Sequence, residues 1–397
     1  EKTNKLGFDL YLVDINGLLD REKIYGYDDD RERFISFQLA VCDWISRWQH
    51  KPDIVHCHDH QAGLIPFFMK HCYAFSYQLS GVRTVITIHN GEYQGQFGWD
   101  KYYYIPAYDT WNWGGLDWNN TINPMASAVK SSWRVTTVSP GYMEELRHSA
   151  RGLEKLFEYE KGKCVGILNG IDADVWDPAT DPYLIKNYDT KTVTKGKLAN
   201  KKHLTSQFGL DINKPLICFI GRLVGEKAAD VLAAGIGQFI YQHGGKASFL
   251  ILGSGDPAVE GELMALADRF KGYVNCYIGY SEPLSHIMYA GCDFLLMPSR
   301  VEPCGLNQLY ALRYGTVPVV RNIGGLKDTV IDYGAEGGFG ISMEQSSAGD
   351  IAYSVGRAVE LYDDKKKLDE IRVKMMGINH SWDVSANEYI KLYESII

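Results

Sequence analysis

Residues 293–306 read DFLLMPSRVEPCGL, an apolar run that passes through a turn with two prolines into a glycine. The run predicts a buried strand over residues 293–297, which Pro303 cannot extend because proline lacks an N–H for the ladder. The chain must therefore turn and present Glu302 beyond the carboxyl end of the strand, where open α/β sheets bind ligands. Gly305 opens a predicted helix over residues 306–314, whose free N–H groups favour an anion such as phosphate. A lone Glu-Pro pair is more often an ordinary exposed turn, so the surrounding motifs decide between the two interpretations.

Strand-like apolar runs recur along the whole chain and alternate with helical patterns. The clearest helical pattern is an apolar stripe with a period of 3.6 residues between Phe34 and Trp48. Strands that alternate with helices predict parallel sheets with both faces covered. We therefore expect an α/β protein with two doubly wound domains. The predicted strands are residues 9–13, 53–57, 83–88, 134–138, 165–168, 216–220, 248–252, 273–278, 293–297 and 317–320.

The length of 397 residues is enough for two domains of ordinary size. We expect the first domain over residues 1–171 and the second over residues 214–380. Residues 172–213 are polar and rich in lysine, which is typical of a connection between domains. Residues 381–397 form an amphipathic helix that could pack back on the first domain.

The composition excludes several classes of function. No apolar run reaches the length of a membrane span, and a net charge of −8 argues against a nucleic-acid surface. The eight cysteines are scattered, and none forms a Cys-x-x-Cys pair. We therefore expect them to be reduced core residues of a cytoplasmic protein, and not parts of a disulfide framework or a zinc site.

Two cations follow the first strand of the second predicted domain. Arg222 comes directly after Gly221, and Lys227 lies five residues further on, at the expected start of the next helix. A guanidinium fork and an ammonium at a helix N-terminus can bind a diphosphate, although a solvated pair beside a turn is the alternative. Tyr280 ends another strand, where its ring could stack on a base or pack on a neighbour.

The first predicted domain has its most polar residues at strand ends. Residues 56–60 read HCHDH, which could suggest a metal site, but no second ligand cluster supports one, so we predict no metal. His58 is either a ligand-facing residue or a structural one. Residues 88–95 place further polar side chains at the end of a second predicted strand. Asn169 places an amide side chain at the end of a third predicted strand.

These motifs, taken together, resemble those of the bacterial glycogen synthases and the starch synthases. The matches run in order along almost the whole chain. They are His58-Asp59, His89-Asn90, Tyr93-Gln94-Gly95, Thr137-Val138-Ser139-Pro140, Asn169-Gly170-Ile171-Asp172, Gly221-Arg222-Leu223 with Lys227, residues 253–256, Gly279-Tyr280, Pro298-Ser299-Arg300, residues 302–306, Gln308-Leu309-Tyr310 and Gly324-Gly325-Leu326.

The resemblance implies two Rossmann-like domains that face a cleft, the GT-B type, and a retaining glucosyltransferase without a cofactor. The expected donor is ADP-glucose, and the expected acceptor is the non-reducing end of an α-1,4-glucan. Expected catalytic residues are Glu302, Arg222, Lys227 and His58. Expected substrate-binding residues are Asn169, His89, Asn90, Tyr93, Gln94, Tyr280, Cys304, Gly305, Leu306, Gln308, Gly324 and Gly325.

The sequence departs from the family pattern mainly at its start. Relatives carry a Lys-x-Gly-Gly-Leu loop in the first βα turn, and this sequence begins beyond the corresponding point, so we expect a first domain without its opening strands. Glu226 and Ala228 flank Lys227, where relatives have Gln and Gly, and His60 stands where Trp is usual. A catalytically silent glucan-binding protein, a pyridoxal-phosphate-dependent phosphorylase and UDP-glucose as donor remain alternatives, and the oligomeric state is open.

Overall fold

The computed structural model describes residues 2–3 and 7–397, and within this part the chain divides into two compact units. The first unit comprises Glu1–Ile167 and Glu388–Ile397, and the second comprises Leu168–Asn387. Residues 172–213, which the sequence suggests as a connection, lie within the second unit and include a helix at Val193–Phe208.

Nine of the ten predicted runs overlap a strand of the two parallel sheets, whereas the short strands at residues 2–3, 117–118, 121–122 and 341–343 lie outside the predicted runs. In chain order the strands are β1 (Lys2–Thr3), β2 (Leu10–Tyr11), β3 (Ile54–His58), β4 (Arg83–Ile88), β5 (Asp117–Trp118), β6 (Thr121–Ile122), β7 (Arg134–Thr137), β8 (Cys164–Gly166), β9 (Leu216–Ile220), β10 (Ser248–Gly253), β11 (Val274–Ile278), β12 (Phe294–Met297), β13 (Val317–Arg321) and β14 (Ile341–Met343).

The α-helices lie mostly between these strands. They are α1 (Asp30–Ser46), α2 (Ile65–His71), α3 (Tyr73–Leu79), α4 (Pro124–Ser131), α5 (Pro140–Leu146), α6 (Glu154–Tyr159), α7 (Val193–Phe208), α8 (Leu232–His243), α9 (Pro257–Arg269), α10 (Glu282–Gly291), α11 (Asn307–Arg313), α12 (Gly324–Thr329), α13 (Ala348–Asp363), α14 (Lys365–Met376) and α15 (Trp382–Glu394).

The first unit has a parallel sheet in the order β3-β4-β7-β8. One of its two inner strands, β4, is buried along nearly its whole length, as expected for a strand covered on both faces. The predicted buried strand over residues 9–13 is wrong. Only Leu10–Tyr11 is a strand there, it pairs antiparallel with Lys2–Thr3, and Tyr11 and Leu12 are exposed.

The second unit has a parallel sheet in the order β11-β10-β9-β12-β13-β14. The chain builds outward from β9 in one direction, then returns to add β12 on the other side of β9. Between β9 and β12 the direction of winding reverses, and such a switch point opens a crevice at the carboxyl ends of the strands. Apolar side chains of the strands and of helices such as α8 and α13 form the core around this sheet.

A buried ion network anchors two helices at the amino ends of the strands, opposite the edge where the crevice opens. Asp293, directly before β12, accepts hydrogen bonds from Lys201 of α7 and Arg372 of α14, each at 2.7 Å. It also accepts from the backbone N–H of Leu216 at 2.9 Å. Burial, the largest effect, would raise the pKa of Asp293, but the two cations and these hydrogen bonds outweigh it and lower the pKa. The carboxylate therefore stays charged and ties both helices to the sheet.

The cysteines that the structure describes are all free thiols. Among the helices of residues 2–3 and 7–397, none combines the length and apolar character that a bilayer crossing requires.

Candidate active site

Glu302 lies in the loop that follows β12, at the switch point of the second sheet. Its side chain is buried, with 5% of the residue surface exposed. The ammonium of Lys227 donates to both carboxylate oxygens, at 2.7 Å to Oε1 and 2.6 Å to Oε2, and Ser299 Oγ donates to Oε2 at 2.9 Å. Charge-assisted hydrogen bonds of this kind make a buried carboxylate tolerable. Glu302 is therefore a fixed negative charge at the ligand-binding edge of the sheet.

Lys227 reaches Glu302 from the loop after β9, on the other side of the switch point. The sequence suggests that Lys227 starts a helix, but the structure places it in a short 3-10 turn at Gly225–Lys227, and α8 begins only at Leu232. Ala228, the next residue, has φ of 53°, a conformation uncommon for residues other than glycine. The backbone between β9 and α8 is thus shaped to bring the lysine back over the sheet edge.

An ion pair that sequence reasoning missed joins the two loops. Both terminal nitrogens of Arg300 reach the carboxylate of Asp230, at 2.6 and 2.8 Å, and Nη1 also donates to the carbonyl of Gly225 at 2.8 Å. The hydrogen bonds from Arg300 are the main reason that the pKa of Asp230 is lowered. This fork, together with a bond from Arg300 N to Glu226 O, clamps the Lys227 loop onto the Glu302 loop.

Close backbone contacts fix the remainder of the Glu302 loop. A Cβ on Gly325 would lie 2.1 Å from the carbonyl oxygen of Cys304, so only glycine fits where α12 meets the loop. Gly305 has φ of 73°, and the Gln308 amide donates to the carbonyls of Cys304 and Gly305 at 2.9 and 3.0 Å. These contacts give Gln308 a supporting position beneath the loop.

Cys304 is buried and chemically quiet. Burial is the main cause that raises the pKa of its thiol to about 12, and a hydrogen bond from the backbone of Asn169 acts in the opposite direction. Asn169 therefore lies beside the Glu302 loop, as do Gly324 and the partly exposed Leu306. The structure brings these predicted site residues of the second unit together.

A pocket of about 330 Å³ opens at the carboxyl ends of β9, β10 and β11. Gly221, Gly253 and Gly279 line the pocket. Tyr280 lines it as well, with 84% of its surface exposed. Arg222 also lines the pocket and forms an ion pair with Glu226 at 3.2 Å. A pocket of this size with backbone groups, an aromatic ring and a guanidinium suits a nucleotide. The lining residues are Trp176, Ile220, Gly221, Arg222, Leu252, Gly253, Ser254, Gly279, Tyr280, Ser281, Glu282, Ser285, Tyr289, Asn307 and Tyr310.

In the first unit, His58 ends β3 and His89 follows β4. Nδ1 of His58 lies 2.9 Å from Nε2 of His89, and the backbone N–H of His89 donates to Asp59 at 2.8 Å. Asp59 has φ of 56°, so the chain turns sharply at this strand end. Burial and the neighbouring His89 lower the pKa of His58, although Asp59 opposes them. Both imidazoles lie at the carboxyl edge of the first sheet.

His56 packs directly behind His58. Their rings stack with centroids 4.5 Å apart, and the two nitrogens of His56 lie 2.6 Å from the hydroxyls of Tyr393 and Thr87. Burial is the main cause that lowers the pKa of His56 to about 3, with His58 and His89 adding to it. Across the described ranges 2–3 and 7–397, no three His, Cys, Asp or Glu side chains come close enough together to share a metal ion.

The predicted ligand residues after β4 fall into two groups. The Asn90 side chain accepts from the backbone of Glu92 at 3.0 Å, and the Tyr93 ring is half exposed. Gln94, in contrast, is buried, donates to the carbonyl of Ala150 at 3.0 Å and accepts from Asn123 at 2.8 Å. Its amide is therefore used within the fold, and the expected substrate contact of Gln94 stays a prediction.

Several residues of the pocket and loops carry no signal that sequence reasoning detected. Asp230 and Arg300 are 70 positions apart, and Trp176 lies in the irregular stretch that follows β8. The motif Pro298-Ser299-Arg300 did contain Ser299 and Arg300, but nothing in it indicated their partners. Only the folded chain brings these side chains to the pocket and the loops around it.

Comparison with known proteins agrees with this geometry. Residues 1–159 match the family model of the starch synthase catalytic domain, and residues 200–374 match that of glycosyl transferases group 1. The glycogen synthase of Flavobacterium johnsoniae is 51% identical over all of this chain and 84% of its own length. The glycogen synthase of Streptococcus sanguinis is 36% identical over 98% of this chain and 83% of its own.

Solved structures give the same result. The catalytic domain of starch synthase IV from Arabidopsis thaliana, solved bound to ADP and acarbose, matches with a TM-score of 0.84 and 34% identity, over 95% of this chain and 79% of that one. A sucrose-phosphate synthase from Thermosynechococcus elongatus shares the fold, with a TM-score of 0.63 and 16% identity over 96% of this chain and 82% of that one. The resemblance inferred from the motifs is thus confirmed, and the chain belongs to the glycogen synthase family, with the starch synthases, as a hexosyltransferase of the GT-B fold.

Proposed function

We propose that the chain transfers glucose from ADP-glucose to the 4-hydroxyl at the non-reducing end of an α-1,4-glucan and retains the anomeric configuration. The observation that carries the proposal is the Lys227–Glu302 pair, which stands at the switch point of a sheet with a nucleotide-sized pocket at the same edge. The ADP bound to the related starch synthase IV supports adenine as the donor base. The curated relatives named glycogen synthase support a glucan acceptor.

The cations act on the leaving group. Cleavage of the bond between glucose and the diphosphate leaves negative charge on the diphosphate oxygens. The guanidinium of Arg222 and the ammonium of Lys227 offset this charge as it develops, so they stabilise the transition state more than the ground state. Tyr280 stacks on the base, and the glycine backbone near it admits the diphosphate closely.

Glu302 acts on the sugar. Its carboxylate holds the donor glucose and favours the positive charge that develops at the anomeric carbon. Ser299 and Lys227 fix its orientation, so the charge needs no reorganisation during the reaction. His58, His89, Asn90, Tyr93 and Asn169 offer polar groups for sugar hydroxyls, and the backbone at Gly305, Gly324 and Gly325 offers N–H groups for phosphate or sugar oxygens.

The proposal is tested by measuring incorporation of labelled glucose into glycogen from ADP-glucose and from UDP-glucose. We expect incorporation with a kcat/KM for ADP-glucose at least about tenfold above that for UDP-glucose, since pockets that hydrogen-bond one base reject another. Proton NMR of the lengthened product should show new α-1,4 linkages. Incorporation from neither donor contradicts the transfer, a preference for UDP-glucose contradicts the donor, and β linkages contradict retention.

A further inference from the structure

Three aromatic rings stack at one wall of the nucleotide-sized pocket. Trp176 and Tyr310 both line the pocket, and their ring centroids lie 3.8 Å apart with an angle of 20° between the planes. The ring of His286 also stacks on Trp176, at 3.8 Å and 12°. Nearly parallel rings at this spacing are in van der Waals contact across their faces. The stack is therefore a rigid part of the pocket wall.

Trp176 needs such support because its own backbone is irregular. It lies in the stretch between β8 and α7, and besides a backbone bond to Asp172 at 2.9 Å it is held by side chains. His286 belongs to α10, which begins just after Tyr280, and Tyr310 belongs to α11, which begins just after the Glu302 loop. Trp176 thus joins the two helices whose first turns flank the pocket.

A buried hydrogen bond to a carboxylate fixes the histidine of this stack. Nδ1 of His286 lies 2.7 Å from Oδ2 of Asp181, and the Tyr314 hydroxyl donates to the same oxygen at 2.5 Å. Asp181 and His286 are each 1% exposed. Burial, the largest effect, would raise the pKa of Asp181, but hydrogen bonds from His286 and Tyr314 outweigh it and lower the pKa. The carboxylate stays an acceptor, so Nδ1 of His286 carries the proton and the ring cannot rotate freely.

We propose that Trp176 is a positioning residue for the nucleoside part of the donor, and that the buried Asp181–His286 pair holds its ring in place. The ligand expected at this wall is a purine or pyrimidine nucleoside diphosphate. Its flat base and its ribose can pack against the edge of the Trp176 ring, beside the exposed Tyr280 ring. This inference rests on the proposed function, because it assigns a role within the donor pocket. It adds residues from outside the loops that carry the reacting groups.

A merely structural role gives a different outcome from a positioning role. Loss of structural packing lowers thermal stability and disturbs donor and acceptor constants alike. Loss of a positioning contact in this pocket raises the KM for the nucleotide sugar and the Kd for the free nucleotide, and it leaves the KM for glycogen within about twofold of the wild type.

The experiment compares the full chain with Trp176→Leu, Trp176→Phe and His286→Gln. The change His286→Gln keeps a donor for Asp181 but loses the ring, and Trp176→Phe keeps an aromatic ring in the stack. His243→Gln is the matched control, since His243 also stacks on an aromatic ring, Phe239 at 4.8 Å, and lies outside the pocket lining. ADP and UDP binding is measured by calorimetry, with KM for donor and glycogen and a thermal melt for each variant.

We expect Trp176→Leu and His286→Gln to raise the Kd for the bound nucleotide about tenfold, Trp176→Phe about threefold, and His243→Gln not at all. Unchanged nucleotide affinity in either folded variant, Trp176→Leu or His286→Gln, overturns the inference, as do equal changes in the donor and glycogen KM. If Trp176→Leu does not fold, His286→Gln and Trp176→Phe decide. A wild-type chain that binds neither ADP nor UDP contradicts the proposed function itself and removes this inference with it.

Discussion

One ammonium group, that of Lys227, satisfies both carboxylate oxygens of Glu302, at 2.7 and 2.6 Å. The two residues come from loops after neighbouring strands, β9 and β12, and are 75 positions apart in the chain. The sequence motifs assign the lysine to the donor diphosphate and the carboxylate to the donor sugar. Their direct contact means that, under the proposed function, one cation would serve both groups.

Removal of the lysine charge should therefore affect catalysis more than binding. We expect Lys227→Met to lower kcat by roughly 10²- to 10³-fold, as for the loss of one preorganised donor to a developing charge, and to change the KM for the nucleotide sugar much less. Steady-state kinetics with varied donor and fixed glycogen measure this. The exposed Lys246 offers the control Lys246→Met, and equal kinetics of the two variants would remove Lys227 from the site.

Loss of the carboxylate charge should lower turnover strongly while the chain stays folded. Glu302→Gln keeps the shape and an acceptor for Ser299, so we expect turnover to fall by about 10²-fold or more with a small change in melting temperature. Glu302→Ala should lower turnover at least as far. Glu262→Gln, on the exposed side of α9, is the control. Turnover within a factor of about two of the wild type in Glu302→Gln would refute the assigned role.

The Arg300–Asp230 fork should act on the lysine through the loop that carries it. We expect Arg300→Lys and Asp230→Asn each to lower kcat by about tenfold, because a misplaced loop loses orientation at the reacting centre. The double variant should lose little more than either single one, since the residues share one interaction. Fully additive losses in kcat would show that the two side chains act independently.

The buried network at Asp293 should matter for stability and not for catalysis directly. Asp293→Asn leaves Lys201 and Arg372 buried with less compensation, and breaking a buried pair in this way costs about 3–5 kcal/mol. We expect a clearly lower midpoint in urea unfolding. The surface pair at Arg47 and Asp43 gives the contrast, since Asp43→Asn should shift the midpoint little. Equal shifts would contradict the assignment.

His56 should make the stability depend on pH in the acid range. Its pKa falls from 6.5 to about 3 in the folded chain, so below pH 6.5 the unfolded chain binds more protons, and stability falls as the pH falls towards 3. The loss between about pH 6.5 and 4 is on the order of 3 kcal/mol. Urea midpoints measured across this range should fall less steeply for His56→Gln than for the wild type. Parallel profiles would show that His56 is not the group responsible.

The sequence predicted five of the six strands in the sheet of the second unit almost residue by residue, because strands covered on both faces are continuous apolar runs, but it missed β14. It failed at residues 9–13, where an apolar run stays exposed and pairs with a two-residue strand. It also placed Lys227 at the start of a helix, whereas the residue lies in a short 3-10 turn before α8. Such turns show no periodic apolar pattern in the sequence, so the sequence did not reveal them. Partners such as Asp230 for Arg300 depend on tertiary contacts that spacing alone does not reveal.

The way in which helix α15 divides between the units limits how the chain can be cut. Residues 388–397 belong with residues 1–167, where Tyr393 contacts His56 and the carbonyl of Ile396 accepts from Arg83 at 3.1 Å. A fragment that stops at residue 167 lacks these contacts, so the first unit cannot be excised as one continuous piece. Chimeras between relatives should therefore exchange residues 388–397 together with residues 1–167, or the strand that carries His58 loses its support.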